Sequence, residues 1–374
     1  MALCPNVYEV KIILHDHRLT HSFNRFLRSL WKAEYVGMRL QSLSIETTLA
    51  KVPRFLQPLV NFSDALKKLE EFNFDISPTR DKHDQEAVDL AVTSLRSFLV
   101  AFNGQLTTIG LSSPLFGEMD IFLGTALQFA RLKKLEIFAF FGEDPKQFER
   151  LSHFIIGHAV TLKHLTIKPQ PRYYIGKTSS LEYTNWINPG DSGTDAFASS
   201  LHSLESLHLG LCGGPEEDGI WIPENLLNSR VLPSLSTFAP CITSLILTGL
   251  PLSLGHISDL IDGLSVDSNG RRLLRSLRVS LLAANTLSSS LFDILASKLN
   301  GLKSLAVIIV GCICQEMQEK NYHEWRLEVL RLTTIHSCPS PHPNLRIMEA
   351  VAERFQFPPN IDCSYTCSCF LHEE

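Results

Sequence analysis

Metal ligation is the chemistry that the cysteines and histidines of this 374-residue chain first suggest. Cys363, Cys367 and Cys369, with His372, put four soft or borderline ligands into ten residues, the number that a structural zinc ion takes. Their spacing is not the paired Cys-x-x-Cys form, so free thiols on a tail are the favoured reading, and metal binding by these cysteines stays open at this point. His15, His17 and His21 form a second histidine group, for which a solvated loop after the first strand is a sufficient account. Cys312 and Cys314 lie in an apolar stretch and read as small buried hydrophobes. No metal or cofactor is assigned.

Catalytic patterns are missing from the sequence: it holds no phosphate-binding Gly-x-x-x-x-Gly-Lys-Ser/Thr loop, dinucleotide fingerprint, His-Glu-x-x-His helix or Gly-x-Ser-x-Gly elbow. The expectation is therefore a protein that binds rather than one that catalyses. Aromatic and basic side chains are the candidates for binding. Arg172, Tyr173, Tyr174, Tyr183 and Trp186 cluster in one long interval, and Trp221 sits between an acidic triplet and Ile222-Pro223. Such a mixture resembles interaction surfaces, where large rings fill a partner's pockets. The same rings could instead pin a long loop onto its scaffold.

The elements that must position these residues are set by a repeat. The pattern apolar-x-x-apolar-x-apolar occurs eleven times, from Val7-Val10-Ile12 through Leu132-Leu135-Ile137 to Leu327-Leu330-Leu332. Its mean interval is about 32 residues, the length of a unit containing one short strand and one helix. Within each motif the last two apolar residues share one strand face, and residues such as Lys133, Lys134 and Glu136 look outward. Intervals of 25 to 42 residues allow the crossover that parallel pairing requires. Helical periodicity fills the intervals, as at Ala91, Leu95, Phe98, Leu99 and Phe102. A helix is predicted over 145–160, with Asp144 as N-cap, Pro145 in the first turn and Gln147 as a box-like partner, ahead of Phe148, Leu151 and Ile155.

The motif resembles the leucine-rich repeat, with Cys212 at the ninth position of the unit that starts at Leu204. Units such as LKKLEIF, LKHLTIK and LESLHLG are most similar to divergent fungal F-box leucine-rich-repeat proteins. The fold class expected is α/β: a horseshoe-shaped leucine-rich-repeat solenoid with parallel strands on the concave face and helices on the convex face. Residues 1–340 are expected to form the solenoid, of about eleven irregular repeats, and residues 341–374 a C-terminal cap or tail. What the resemblance implies is a protein-interaction scaffold related to the substrate receptors of ubiquitin ligases. The first strand near Val7 leaves no room for an F-box ahead of it, so a truncated or F-box-less member is expected, which puts in question the binding of a Skp-type adaptor.

Charge and hydropathy narrow the partners further. Lys and Arg number 22 against 19 Asp and Glu in residues 1–187, and 12 against 20 in residues 188–374. With a net charge of -5 the chain is not a globally basic nucleic-acid binder. An RNA- or nucleotide-associated role, resting on Lys67-Lys68 and Lys133-Lys134, is the alternative reading. The longest apolar run, Leu305–Cys314, is about half the length of a bilayer-spanning helix, so no membrane span is expected. The start of the chain lacks the basic and apolar regions of a secretory signal, and a cytoplasmic or nuclear location follows as the expectation.

Overall fold

The computed structural model describes residues 7–15, 20–32, 38–77, 85–113, 127–139, 141, 145–169, 183, 186, 201–210, 215–216, 219–220, 235–248, 252–268, 272–282, 290–310, 322, 325–336 and 360–367. They fall into two compact units, Met1–Trp186 and Ile187–Glu374. The first contains strands β1 (Glu9–Leu14), β2 (Ser42–Thr47), β3 (Glu71–Ile76), β4 (Thr108–Ser113), β5 (Lys134–Ala139) and β6 (His164–Pro169). Between them run helices α1 (His21–Lys32), α2 (Val52–Asn61), α3 (Gln85–Ala101) and α4 (Pro145–Gly157). The second unit holds β7 (Ser206–Gly210), a two-stranded antiparallel ribbon of β8 (Pro215–Glu216) and β9 (Gly219–Ile220), then α5 (Leu235–Phe238), β10 (Ser244–Thr248) and α6 (Leu254–Asp262). It continues through β11 (Ser276–Leu282), α7 (Ser290–Lys298), β12 (Ser304–Val310), β13 (Val329–His336) and β14 (Asn360–Cys367).

Each of the eleven motifs opens two residues ahead of a strand, and the strands pair in parallel with the motifs in phase. Leu43 stands beside Phe72, Phe72 beside Ile109, Ile109 beside Leu135 and Leu135 beside Leu165. In the second unit Leu207, Leu245, Leu277, Leu305 and Leu330 are aligned in the same way. This phase follows from burial: a slip of one residue would turn each apolar set to the solvent face. From the second motif onward the first, fourth and sixth positions are buried wherever they are described. Within each unit the fold is thus an α/β leucine-rich-repeat solenoid, a parallel strand ladder backed by helices.

The helices cover the apolar side of the ladder with the stripes that the sequence predicts. α3 buries Val88, Ala91, Val92, Leu95, Phe98 and Leu99, and the Phe98 ring lies 4.2 Å from that of Phe72 on β3. α6 is closed by a reciprocal capping box: the His256 amide donates to Ser253 Oγ at 3.2 Å and the Ser253 amide donates to His256 Nδ1 at 3.4 Å.

At α4 the cap differs from expectation. Asp144 lies outside the described residues, and Gln147 is 6% exposed with its Oε1 unpaired, so it does not reach back as a box partner. Gln147 is buried next to Phe148 in the sequence. No helix among the described residues is long and apolar enough to cross a membrane.

Candidate functional site

The side of the ladder away from the helices presents the alternate strand positions. In the first unit these form three rows across the strands. One runs Glu9, Ser42, Glu71, Thr108, Lys134, His164; the next runs Lys11, Ser44, Asn73, Gly110, Glu136, Thr166. The third, toward the strand ends, runs Ile13, Glu46, Asp75, Ser112, Phe138, Lys168. Acidic residues gather on β1–β3, where Glu9, Glu46, Glu71 and Asp75 face one cation, Lys11. On β5 and β6, Lys134 and Lys168 accompany the single carboxylate of Glu136.

The row at the strand ends is the most structured part of this face. Glu46 and Asp75 stand directly opposite one another. His15 Nε2 lies 2.9 Å from Glu46 Oε1, and its Nδ1 lies 2.7 Å from Ser77 Oγ. A ring carrying its proton on Nε2 donates to the carboxylate and accepts from the Ser77 hydroxyl. The turn bearing His15 is tied down by Lys51, whose ammonium donates to the carbonyls of Leu14 and His15. Ser112 Oγ donates to Asp75 Oδ1 at 2.9 Å. Burial, the largest influence, pushes the Asp75 carboxyl above its ordinary 3.8; the Ser112 bond opposes this, Glu46 adds to it, and His15 and Lys11 oppose it.

Behind this row, Gly110 makes room for a neighbour: a Cβ there would collide with the Asn73 side chain. At the other end Lys168 Nζ lies 5.2 Å from the centre of the Phe138 ring, a cation–π approach. Lys134 pairs with Glu136 at 3.2 Å on the same strand. Basic and acidic side chains thus alternate along β5. The corresponding face of the second unit has another character. Its middle row of His208, Ile246, Arg278, Ala306 and Arg331 carries two guanidiniums and two apolar side chains.

The residues proposed from sequence divide sharply. Tyr183 and Trp186, expected to contact a partner, are 0% and 6% exposed, and this placement corrects that expectation. The Tyr183 ring stacks on Phe141 at 4.6 Å, and the Trp186 ring lies 5.4 Å from that of Phe148 on α4. Trp186 Nε1 donates to Ser152 Oγ at 2.8 Å, and Ser152 Oγ donates to the Phe148 carbonyl at 2.7 Å. Apolar area and an indole N–H with a buried acceptor place these two rings in the core of the first unit. Arg172, Tyr173, Tyr174 and Trp221 lie outside the described residues, as do His17, Cys369 and His372.

Histidines and cysteines are dispersed. His15 serves the strand-end row, whereas His21 Nε2 lies 3.3 Å from Arg25 Nη2 on α1. Cys363 and Cys367 belong to β14, at the register positions of Leu332 and His336. Among the described residues no group of three or more His, Cys, Asp or Glu is placed to hold a metal ion. Sequence reading missed the Glu46–Asp75 pair, although a signal existed: both occupy the seventh position of their repeats, six residues after Leu40 and Leu69.

No family model matches this sequence, and no curated protein matches it. Among solved structures, the complex of Rad7 and Elc1 in yeast is similar at 15% identity over 80% of this chain and 72% of that one, with a TM-score of 0.41. A protein from Bacteroides fragilis is similar at 14% identity over 93% of this chain and 73% of that one, with a TM-score of 0.31. The fold assignment rests on the strand order and register above and not on these likenesses.

Proposed function

We propose that this chain is a non-enzymatic recognition scaffold that holds a protein partner on the outward strand face of its first unit, in the manner of a ubiquitin-ligase substrate receptor. The observation that carries the reading is the uneven charge on that face, with Glu9, Glu46, Glu71 and Asp75 against Lys11 at one end, and Lys134 and Lys168 against Glu136 at the other. Charges fixed in register on paired strands need little reordering to meet a complementary surface, and complementarity of this kind sets partner choice and encounter rate. Asp75 supports the reading further. Its carboxyl is held partly desolvated beside a second carboxylate, an arrangement that costs stability and that a basic side chain of a partner would relieve.

The test compares proximity labelling and affinity capture from cells by the natural chain and by a Glu46→Lys, Asp75→Lys variant. A reproducible protein partner lost from the variant, at unchanged melting temperature, is the expected outcome. Equal recovery by both chains would move the interface elsewhere, and no partner for either would end the scaffold reading. Recovery of partners without a Skp-type adaptor would remove the ligase role alone.

A further inference from the structure

A second recognition surface lies on the helix side of the same unit. α1 turns Asn24, Leu27, Arg28 and Trp31 toward α2, positions that share one face of a helix. α2 answers with Arg54, Phe55 and Pro58, and the seven residues line a groove of about 160 Å³. Its floor is apolar, since Leu27, Trp31 and Phe55 are all buried. Its rim is cationic: the Arg28 and Arg54 side chains are exposed and have no hydrogen-bond or ion-pair partner among the described residues. Neither helix contains an Asp or Glu, and α1 adds Arg25 and Lys32. Pro58 sits inside α2 without an N–H, so the Arg54 carbonyl lacks the donor that residue 58 of a regular helix supplies.

We propose that this groove docks a short acidic segment of a partner protein, one apolar side chain seated between the helices and carboxylates beside it on Arg28 and Arg54. Size limits the anchor to one residue, because the groove's volume of about 160 Å³ is close to the roughly 150 Å³ that accommodates a group the size of benzene. Charge selects what flanks it: two unpaired guanidiniums, with no carboxylate on either helix, favour carboxylates. The proposal rests on the scaffold reading and adds to it a contact site on the opposite side of the ladder.

The experiment pans a phage-displayed random-peptide library against the full chain, then measures binding of the enriched peptides, fluorescein-labelled, by polarisation. The expected result is enrichment of sequences with acidic residues around one aromatic or aliphatic residue. Their affinity should fall about tenfold or more in an Arg28→Glu, Arg54→Glu variant, because two charge pairs become two repulsions. An Arg28→Lys, Arg54→Lys variant, which keeps the charge and loses the planar fork, should bind more weakly than the natural chain and more tightly than the Arg28→Glu, Arg54→Glu variant, and the affinity of the natural chain should drop as salt rises. Both variants change exposed side chains, and an unchanged melting temperature verifies their folding. No enrichment, enriched peptides without acidic bias, or equal binding to the Arg28→Glu, Arg54→Glu variant would each overturn the groove. Peptides lost instead from the Glu46→Lys, Asp75→Lys variant would overturn the groove while leaving the scaffold reading in place.

Discussion

His158 is the residue whose chemistry is most tightly specified. It is 4% exposed, its Nδ1 lies 2.7 Å from the Phe154 carbonyl, and its Nε2 accepts the Phe129 amide at 3.0 Å. Only the neutral ring with its proton on Nδ1 satisfies both bonds, because a proton on Nε2 would face another donor. Burial, the larger influence, holds its pKa below the ordinary 6.5, against the opposing bond to Phe154. Below 6.5 the unfolded chain therefore binds more protons than the folded one. The stability from this group is fully present above 6.5 and is lost as pH falls from there through the depressed folded value. Urea melts of the natural chain and of His158→Leu across this range should show that slope in the former and its reduction in the latter. At neutral pH the variant should be about 1–3 kcal/mol less stable, since it strands the Phe129 amide. Parallel pH profiles would refute the depressed pKa. Asp75 shows the opposite sign: with its pKa raised, the stability from this group is present below 3.8 and is lost as pH rises from there through the raised folded value, so at neutral pH Asp75→Asn should match or exceed the natural chain's stability in urea melts while weakening partner capture.

At the scale of elements, α4 and the rings on it give the sharpest contrast. Phe148 is 3% exposed and lies against Phe141, Tyr183 and Trp186, whereas Glu149 is exposed. Phe148→Asp should cost about 3–5 kcal/mol in urea melts, having both emptied an aromatic site and buried a charge, while Glu149→Ala should stay within about 0.5 kcal/mol. Equal effects would mean that the helix faces the other way. Trp186→Ala belongs to the same cluster and should also destabilise by about 3 kcal/mol or more. The helix was legible because Phe148, Leu151 and Ile155 recur at helical spacing. The role of Tyr183 and Trp186 was not, since ring composition alone does not separate an anchor for a partner from an anchor for a loop. Ser152 held the distinguishing hint: a hydroxyl on the buried stripe of a helix calls for a buried donor, and the Trp186 indole supplies it. The Glu46–Asp75 row was harder still, because its members are far apart in sequence and meet only through strand register.

At the scale of the whole chain, the repeat pattern located all eleven of its strands, because burial at three positions of each motif leaves the register little freedom. It failed on the twelfth. β14 pairs with β13 in parallel from Asn360 beside Val329 to Cys367 beside His336, so this strand lies within residues read from sequence as a cap or tail. The aligned motif there has Pro358 in the first apolar position, Ile361 in the fourth and Cys363 in the sixth. A proline cannot continue a ladder, but it is tolerated ahead of a strand, and cysteine substitutes for a small hydrophobe. Neither substitution looks like a leucine-rich repeat, yet both are compatible with one. The pairing has a consequence for solubility. Removing β14 would move the open edge of the sheet from the more polar Asn360–Cys367 to the eight residues of β13, which carry Val329, Leu330, Leu332 and Ile335, and a long apolar edge is the kind that recruits other chains. A chain ending after residue 340 should therefore melt at a lower temperature than one ending after residue 367 and should form concentration-dependent oligomers visible by light scattering. If both truncated chains stay monomeric and melt together, β14 contributes nothing to the second unit. If only the shorter chain associates, closing the edge of β13 is the work of the last strand.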